Sequence, residues 1–441
     1  MFAPGRLAWS GGAAILASAF AFQAAAGQHL PPVVTLRAVY RIADSASPAV
    51  RGAHAAARAA EFRVPAATRL PDPMIQLQLM NRNLPGLGLN DPLGMNQVQL
   101  TQTFPAPGKL RLAGDVAVAK ADAARESVAE VTWSRRASAA MAFFELHRLD
   151  ATLAITRETL HLLEGIGVST AQMYAVGQSR QTDVLRAQLE VNRMTGEVED
   201  LIRMRAAMAA RLNAVLNRPA TDSVGPTELP RLPEQLPSTD SLIDRALTSR
   251  GMIRSAVADL RAAAANERLA RREIWPDLEV GVVYGQRGMP DGTTDRMVSL
   301  MLGATIPIWA NSRQYRLRDE AAAMREMAAA SLDALRAETG GRIAELVAQH
   351  AGTMRLRTLY ARSILPQAEA TARSARDAYQ AGTVDFMTML DALMVVNTYR
   401  AKLQQLDADA GSALAELEMI TGSSLIPDDP YHGLAGGEGT R

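Results

Sequence analysis

Two stretches of the 441-residue sequence, Leu110 to Ala175 and Arg313 to Ala381, carry helical periodicity with no convincing loop inside either. At 1.5 Å per residue each is a rod on the order of 100 Å long, which no compact domain of this size accommodates. The rods belong to a repeat. Leu70-Pro71-Asp72-Pro73 recurs as Trp275-Pro276-Asp277, and Tyr174-Ala175-Val176-Gly177 recurs as Tyr379-Gln380-Ala381-Gly382. The offsets agree, since 276 less 71 and 382 less 177 both give 205. A leucine follows each glycine at the same distance, Leu185 and Leu390. Two landmarks at one offset mark a duplication, so the fold is two copies of one pattern.

Each copy opens with two alternating runs. Ile75, Leu77 and Leu79 alternate with Gln76 and Gln78; Val98, Leu100 and Phe104 alternate with Gln97, Gln99, Thr101 and Thr103. In the second copy Leu278, Val280, Val282 and Tyr284 alternate with Glu279, Gly281 and Gly285. After a turn-rich Gln286 to Asp295, Val298, Leu300, Leu302 and Ile306 alternate with Ser299, Gly303 and Thr305. Period two marks strands with one apolar and one polar face. Their length suits a tilted strand crossing a bilayer, and alternation alone equally suits two hairpins on a soluble domain.

Beyond each strand pair come a proline-containing turn, the long helix, a break at Gly177 or Gly382, and a returning helix, Thr182 to Leu216 or Asp385 to Ile420. Shorter helical pieces are expected near Leu36 to Arg63 and Ser241 to Arg271. Arg6, the apolar run Leu7 to Phe22 and the small residues Ala24 to Ala26 predict a cleaved signal over residues 1–26. The boundaries are then a first repeat, 27–216, with strand pair 73–104 and helical hairpin 109–216; a surface linker, 217–237, rich in Pro, Thr, Asp and Ser; a second repeat, 238–422, with strand pair 277–306 and hairpin 312–421; and a poorly ordered tail, 423–441.

Composition excludes several chemistries. With no cysteine there is no disulfide framework, cysteine metal site, thiol catalyst or lipidated N-terminal cysteine. Lys+Arg 47 against Asp+Glu 46 gives no basic patch for nucleic acid. The six histidines are scattered, without HxxxH or HExxH spacing, so neither metal nor cofactor is expected. No nucleophile motif, Walker loop or dinucleotide fingerprint occurs, and Gly285-Gln286-Arg287-Gly288 reads as loop. Catalysis is not expected.

Four strands cannot close a barrel, and an open edge in lipid leaves backbone groups unsatisfied. A membrane role therefore requires oligomerisation: two copies supply eight strands with a filled lumen, and three supply twelve with room for a channel. The duplicated halves, the proline-aspartate strand entries, the Phe104 to Lys109 segment FPAPGK and the twin Tyr-x-x-Gly turns together resemble the outer-membrane factors related to the channel TolC. The resemblance covers roughly Leu36 to Gly422. It implies a mostly α fold with a small membrane β-barrel portion: a homotrimeric, 12-stranded barrel joined to a long α-helical barrel. It also implies an outer-membrane location in a Gram-negative bacterium, among lipid, with a periplasmic adaptor and an inner-membrane pump as partners. FPAPGK is most similar to the branch serving resistance-nodulation-division pumps, heavy-metal or multidrug.

By the same resemblance, Ala175, Val176, Gly177, Gln178 and Ser179, with Gln380, Ala381, Gly382 and Thr383, are helix tips that dock the adaptor. A plain helix C-cap explains either glycine equally well. Tyr379 and Asp391 fall at matching positions of the family's periplasmic gate, with Asp385 and Asp183 as further candidates at the mouth; Val384 and Thr388 stand where a basic and an acidic residue are expected. Asp391, repeated around an axis, makes an acidic ring. Met74, Met80, Met95, Met297 and Met301 gather around the hairpins, where gap-filling, lipid-facing or soft-cation roles are open. A periplasmic coiled-coil adaptor, a structural coiled coil and the exit duct of a type I protein secretion system are the competing readings. The adaptor and structural coiled coil lack two spaced strand pairs with two helical hairpins; the secretion duct has the same tunnel.

Overall fold

The structure, a computed structural model, describes residues 30–81, 94–289 and 291–426. The expected signal segment, the tip of the first strand pair and most of the C-terminal tail lie outside these residues. In chain order the elements are β1 (Val34–Thr35), α1 (Leu36–Ala46), α2 (Pro48–Thr68), β2 (Met74–Met80), β3 (Met95–Phe104), α3 (Lys109–Ala175) and α4 (Gln181–Val215). The second half contains β4 (Thr227–Glu228), α5 (Thr239–Ser249), α6 (Gly251–Arg272), β5 (Leu278–Gly288), β6 (Thr294–Ala304), α7 (Gln314–Leu359), α8 (Leu365–Gln380) and α9 (Phe386–Thr421).

Helix α3 is a single run of 67 residues. The α7–α8 rod begins at 314 and ends at 380, each 205 residues after the corresponding end of α3. One π turn, Tyr360–Ile364, joins its two parts. Pro366 is the cause: it lacks an N–H, and its ring crowds the preceding carbonyls. The ladder widens so that Leu365 N donates to Tyr360 O. No helix among the described residues is long and apolar enough to cross a membrane.

The core is a thin string along the rods. Its largest part joins α1, α3, α4, α5, α7 and α9 through Tyr40, Phe143, Phe144, Leu212, Leu242, Ile343 and Leu414. Leu149, Leu153, Val198 and Leu201 continue it between α3 and α4. Close helix approach depends on small residues: a Cβ placed on Gly411 of α9 would lie 2.4 Å from Phe144 Cε1 on α3. Arg136 of α3, almost fully buried, is held by Asp44 of α1 through two bonds of 2.8 Å, and its guanidinium lies over the rings of Tyr40 and Trp133.

Strands β2, β3, β5 and β6 form one antiparallel sheet in that order, so the two repeats meet at β3 and β5. Register puts Leu77, Val98, Tyr284 and Val298 in one row and Leu79 with Asn96 in the next. The aliphatic face is exposed, with Leu77 at 77% and Leu302 at 74%, and no layer covers it among the described residues. The outer edges of β2 and β6 are unpaired among the described residues. All five hairpin methionines fall on the other face, among Gln76, Gln78, Gln97, Gln99 and Thr101. The methionines thus share a face with the glutamines, opposite the aliphatic one.

Several expected boundaries move. The turn-rich reading of Gln286 to Asp295 is too long, because Gln286–Gly288 continue β5 and Thr294–Asp295 begin β6. Cross-strand pairing carries these polar residues where local propensity signals a loop. The segment 217–237 is not only a surface linker: β4 pairs in parallel with β1, and Val224 is buried. A Cβ on Gly225 would lie 2.1 Å from Pro32 O, so glycine permits the approach. The tail begins ordered, since Leu425 and Ile426 are buried and their N–H groups donate to Glu418 Oε1 at 2.6 and 2.8 Å. Each short helical piece is a pair of helices, broken at Ser47 and at Arg250.

The sheet joins the rods through the FPAPGK segment. Gly108 sits at φ +90 and starts α3. Lys109 is buried, with Nζ 2.9 Å from Asp277 Oδ1 and 3.4 Å from Glu273 Oε2. Asp277 Oδ1 also accepts from Ala106 N at 2.7 Å. The lysine of the first repeat is thus clamped by the proline-aspartate entry of the second.

Candidate functional site

At the far end of the rods both helices reverse by the same device. Gly177 adopts φ +75 and Gly382 φ +71. Gln178 N donates to Met173 O at 2.8 Å, and Thr383 N to Ala378 O at 2.9 Å. Gly177 N reaches Tyr174 O, and Gly382 N reaches Tyr379 O, at 3.0 and 2.9 Å. These paired bonds close the last helical turn around a left-handed residue, which favours glycine. Both positions face open space: nothing lies within 4 Å of a Cβ on either. The glycines are therefore helix C-caps by conformation, with backbone accessible from outside.

The returning helices start on acidic residues. Asp385 caps α9, its Oδ1 accepting from Thr388 N at 2.8 Å and from Thr388 Oγ1 at 2.6 Å. Those bonds hold its carboxyl below the usual carboxylate range, with Arg186 and Arg180 adding to the effect. Asp183 Oδ2 accepts from Arg180 N at 3.4 Å and from Ser179 Oγ at 3.3 Å at the start of α4. Both carboxylates also suit the positive end of the helix dipole. Two of the expected mouth acids thus have a structural task in their own turn.

A compact apolar cluster holds the two hairpins together at this end. Leu163, Ala187 and Met194 of the first pack with Ala372, Phe386, Met389 and Leu390 of the second. Tyr379 lies edge-on to Phe386, with ring centroids 5.7 Å apart, and its hydroxyl is 3.5 Å from Ser179 Oγ. Both turns therefore border one open cleft of about 800 Å³, which brings together Gly177, Gln178, Ser179, Asp183, Tyr379, Gln380, Ala381, Gly382, Thr383 and Asp385. Ala175 and Val176 are exposed beside it. Asp391 is not in this cleft; it is exposed farther along α9.

Sequence reading missed Arg180, which borders the cleft, and Arg186, whose charge together with that of Arg180 favours the ionised Asp385. It also missed Arg400 of α9, which bonds Glu369 at 2.8 Å and Glu158 at 3.2 Å and so locks α3, α8 and α9 above the tip. No short-range signal marks Arg400, because Glu158 is 242 residues away. The cap at Asp385 was readable from its three-residue spacing to Thr388. This is a polar surface of backbone, hydroxyls and mixed charges.

Comparison with known proteins agrees with this architecture. Residues 242–423 match the family model for Outer membrane efflux protein. No curated protein matches the sequence. Among solved structures, the outer-membrane channel OprN is similar with a TM-score of 0.75 at 19% identity, covering 88% of this chain and 89% of its own. The outer membrane protein VceC of Vibrio cholerae gives 0.74 at 18%, covering 88% and 96%. The open-state MtrE outer membrane channel of Neisseria gonorrhoeae gives 0.72 at 16%, covering 89% and 90%. Residues 242–423 thus match the outer membrane efflux protein model, and the chain as a whole has the fold of these outer-membrane channels.

Proposed function

We propose that the chain is the outer-membrane duct of a tripartite efflux system and conducts substrate passively from an inner-membrane pump and a periplasmic adaptor to the outside. The observation that carries this reading is one sheet with an exposed aliphatic face and two open edges, joined to rods about 100 Å long. An exposed aliphatic sheet face is stable in hydrocarbon, and open edges there require closure by further copies. Three copies give twelve strands and a lumen lined by the Gln- and Met-bearing face. The cargo proposed is heavy-metal cations or small toxic compounds, with a pump of the resistance-nodulation-division type and no catalytic step.

In this reading the Gly177 and Gly382 turns receive the adaptor, and Tyr379, Asp183, Asp385 and Asp391 border the periplasmic mouth. Native mass and planar-bilayer conductance of the detergent-extracted protein test the duct. A trimer with cation-preferring conductance that loses preference in Asp391→Asn supports it, whereas a monomer without conductance overturns it. Because the chain has no cysteine, a single cysteine at Gln380 reports adaptor docking without background. Cross-linking to the adaptor there, and none from Trp275 near the sheet, is the expected outcome.

A further inference from the structure

The two open edges of the sheet carry enough information to specify how they meet. Inside the chain β3 pairs with β5 so that residue numbers of partners add to 382, as in Phe104 with Leu278 and Met95 with Arg287. This junction joins the second strand of one repeat to the first strand of the other. The edges β6 and β2 are the same kinds of strand, a second and a first. A ring built from copies of this chain can therefore repeat the β3–β5 junction as a β6–β2 junction between copies.

The repeat offsets fix its register. Asp277 corresponds to Asp72 at 205 residues, which maps β5 onto β2. The hairpin registers, Met74 with Thr101 and Leu278 with Ala304, then map β3 onto β6 at an offset of 202, carrying Phe104 to Ile306. Transferring the β3–β5 register with these offsets gives pairs adding to 379. We infer that β6 of one copy pairs antiparallel with β2 of the next copy with Leu302 opposite Leu77, Met301 opposite Gln78, and Leu300 opposite Leu79.

Two independent features agree with that register. It places aliphatic against aliphatic and polar-face residue against polar-face residue along the whole junction, whereas a slip by one residue inverts every side chain. The clamp at the base of the sheet also has a counterpart. Lys109, paired with Asp277, corresponds at 205 residues to Gln314, and Asp277 to Asp72. Gln314 Oε1 is buried with no hydrogen-bond partner among the described residues. The accessible end of that amide is its Nε2 group, a donor of the kind the Asp72 carboxylate of the next copy would accept from. The inference rests on the closed-ring reading above and adds the register by which the ring closes.

Cysteine pairs in the otherwise cysteine-free, full-length chain test it. Within one chain β2 and β6 are separated by two strands, about 14 Å in all, beyond the reach of a disulfide. Any bond between them therefore joins two copies. Met301→Cys with Gln78→Cys, oxidised in outer membranes, is expected to give covalent rings on denaturing gels at least ten times more abundantly than Met301→Cys with Gln76→Cys, which is two residues out of register. Leu302→Cys with Leu77→Cys repeats the test from the opposite face should the first pair not fold. Preferred bonding of the shifted pair, in protein whose native mass is that of a closed ring, overturns the register and leaves the ring standing. A monomeric native mass removes both.

Discussion

The distance between α3 and α9 is set by one missing side chain, and its removal has a calculable cost. A Cβ on Gly411 would lie 2.4, 2.5 and 2.6 Å from Cε1, Cδ1 and Cζ of Phe144, more than an ångström inside normal carbon contact. Phe144 is fully buried in the main core and cannot swing away. Overpacking of a tight core costs about 1–3 kcal/mol, and three clashing ring atoms put Gly411→Ala near the upper end. Alanine regains about 1 kcal/mol of helix propensity, so the net loss is about 2 kcal/mol. Gly52→Ala in α2, with nothing within 4 Å of the new Cβ, makes the same propensity gain alone and is expected to stabilise by about 1 kcal/mol. Urea unfolding followed by circular dichroism on both variants measures the difference. Phe144→Leu in the Gly411→Ala background relieves the contact, so the double variant is more stable than the sum of the single losses predicts. If Gly411→Ala is as stabilising as Gly52→Ala, the described approach of α3 to α9 is wrong.

Three further outcomes follow from the geometry. Gly177→Ala and Gly382→Ala each force an L-residue to positive φ in open space, costing about 1–2 kcal/mol; hydrogen exchange should show faster opening confined to the altered turn. Asp277→Ala strands the buried Lys109 with only the longer Glu273 contact and is expected to cost about 3 kcal/mol, more than Lys109→Met, which keeps the stem packed; equal losses in urea unfolding refute the clamp. Burial holds His350 below its ordinary value of 6.5, so the unfolded chain binds the proton first. The folded state therefore loses stability as pH falls below 6.5, until pH reaches the lowered folded value. His350→Leu should flatten the slope of melting temperature between pH 7 and 5, and an unchanged slope counts against it.

The features legible in the sequence are those whose cause is local. Gly177 and Gly382 are visible because a left-handed cap asks for glycine wherever it occurs. The strand faces are visible because period two is written within each strand. Contacts between distant segments leave no such trace. The β1–β4 pair is two residues long on each side, too short for any period, and its permission comes from Gly225 meeting Pro32. Gly411 looks like one more small residue in an Ala-rich helix until Phe144 is seen against it. Asp183 and Asp385 stand at helix starts, where one carboxylate serves both as a cap and as a charge at the tip, so local sequence does not separate the two roles. Arg400 joins three helices through partners no spacing rule connects.

The clamp of Lys109 by Asp277 and Glu273 sits at one end of α3, and the Gly177 turn sits at the other, with 67 residues of uninterrupted helix between. Such a rod is a lever. A rotation of about 3° at the clamp sweeps the far turn through about 5 Å over a length near 100 Å, roughly one helical pitch. A rotation that small leaves hydrogen bonds at the fulcrum intact, so a displacement at the distal turns large enough to admit or exclude a small solute requires no bond there to break. The same leverage works in reverse: a substitution that loosens the fulcrum by a few degrees blurs the position of every group at the distal end, although it touches none of them.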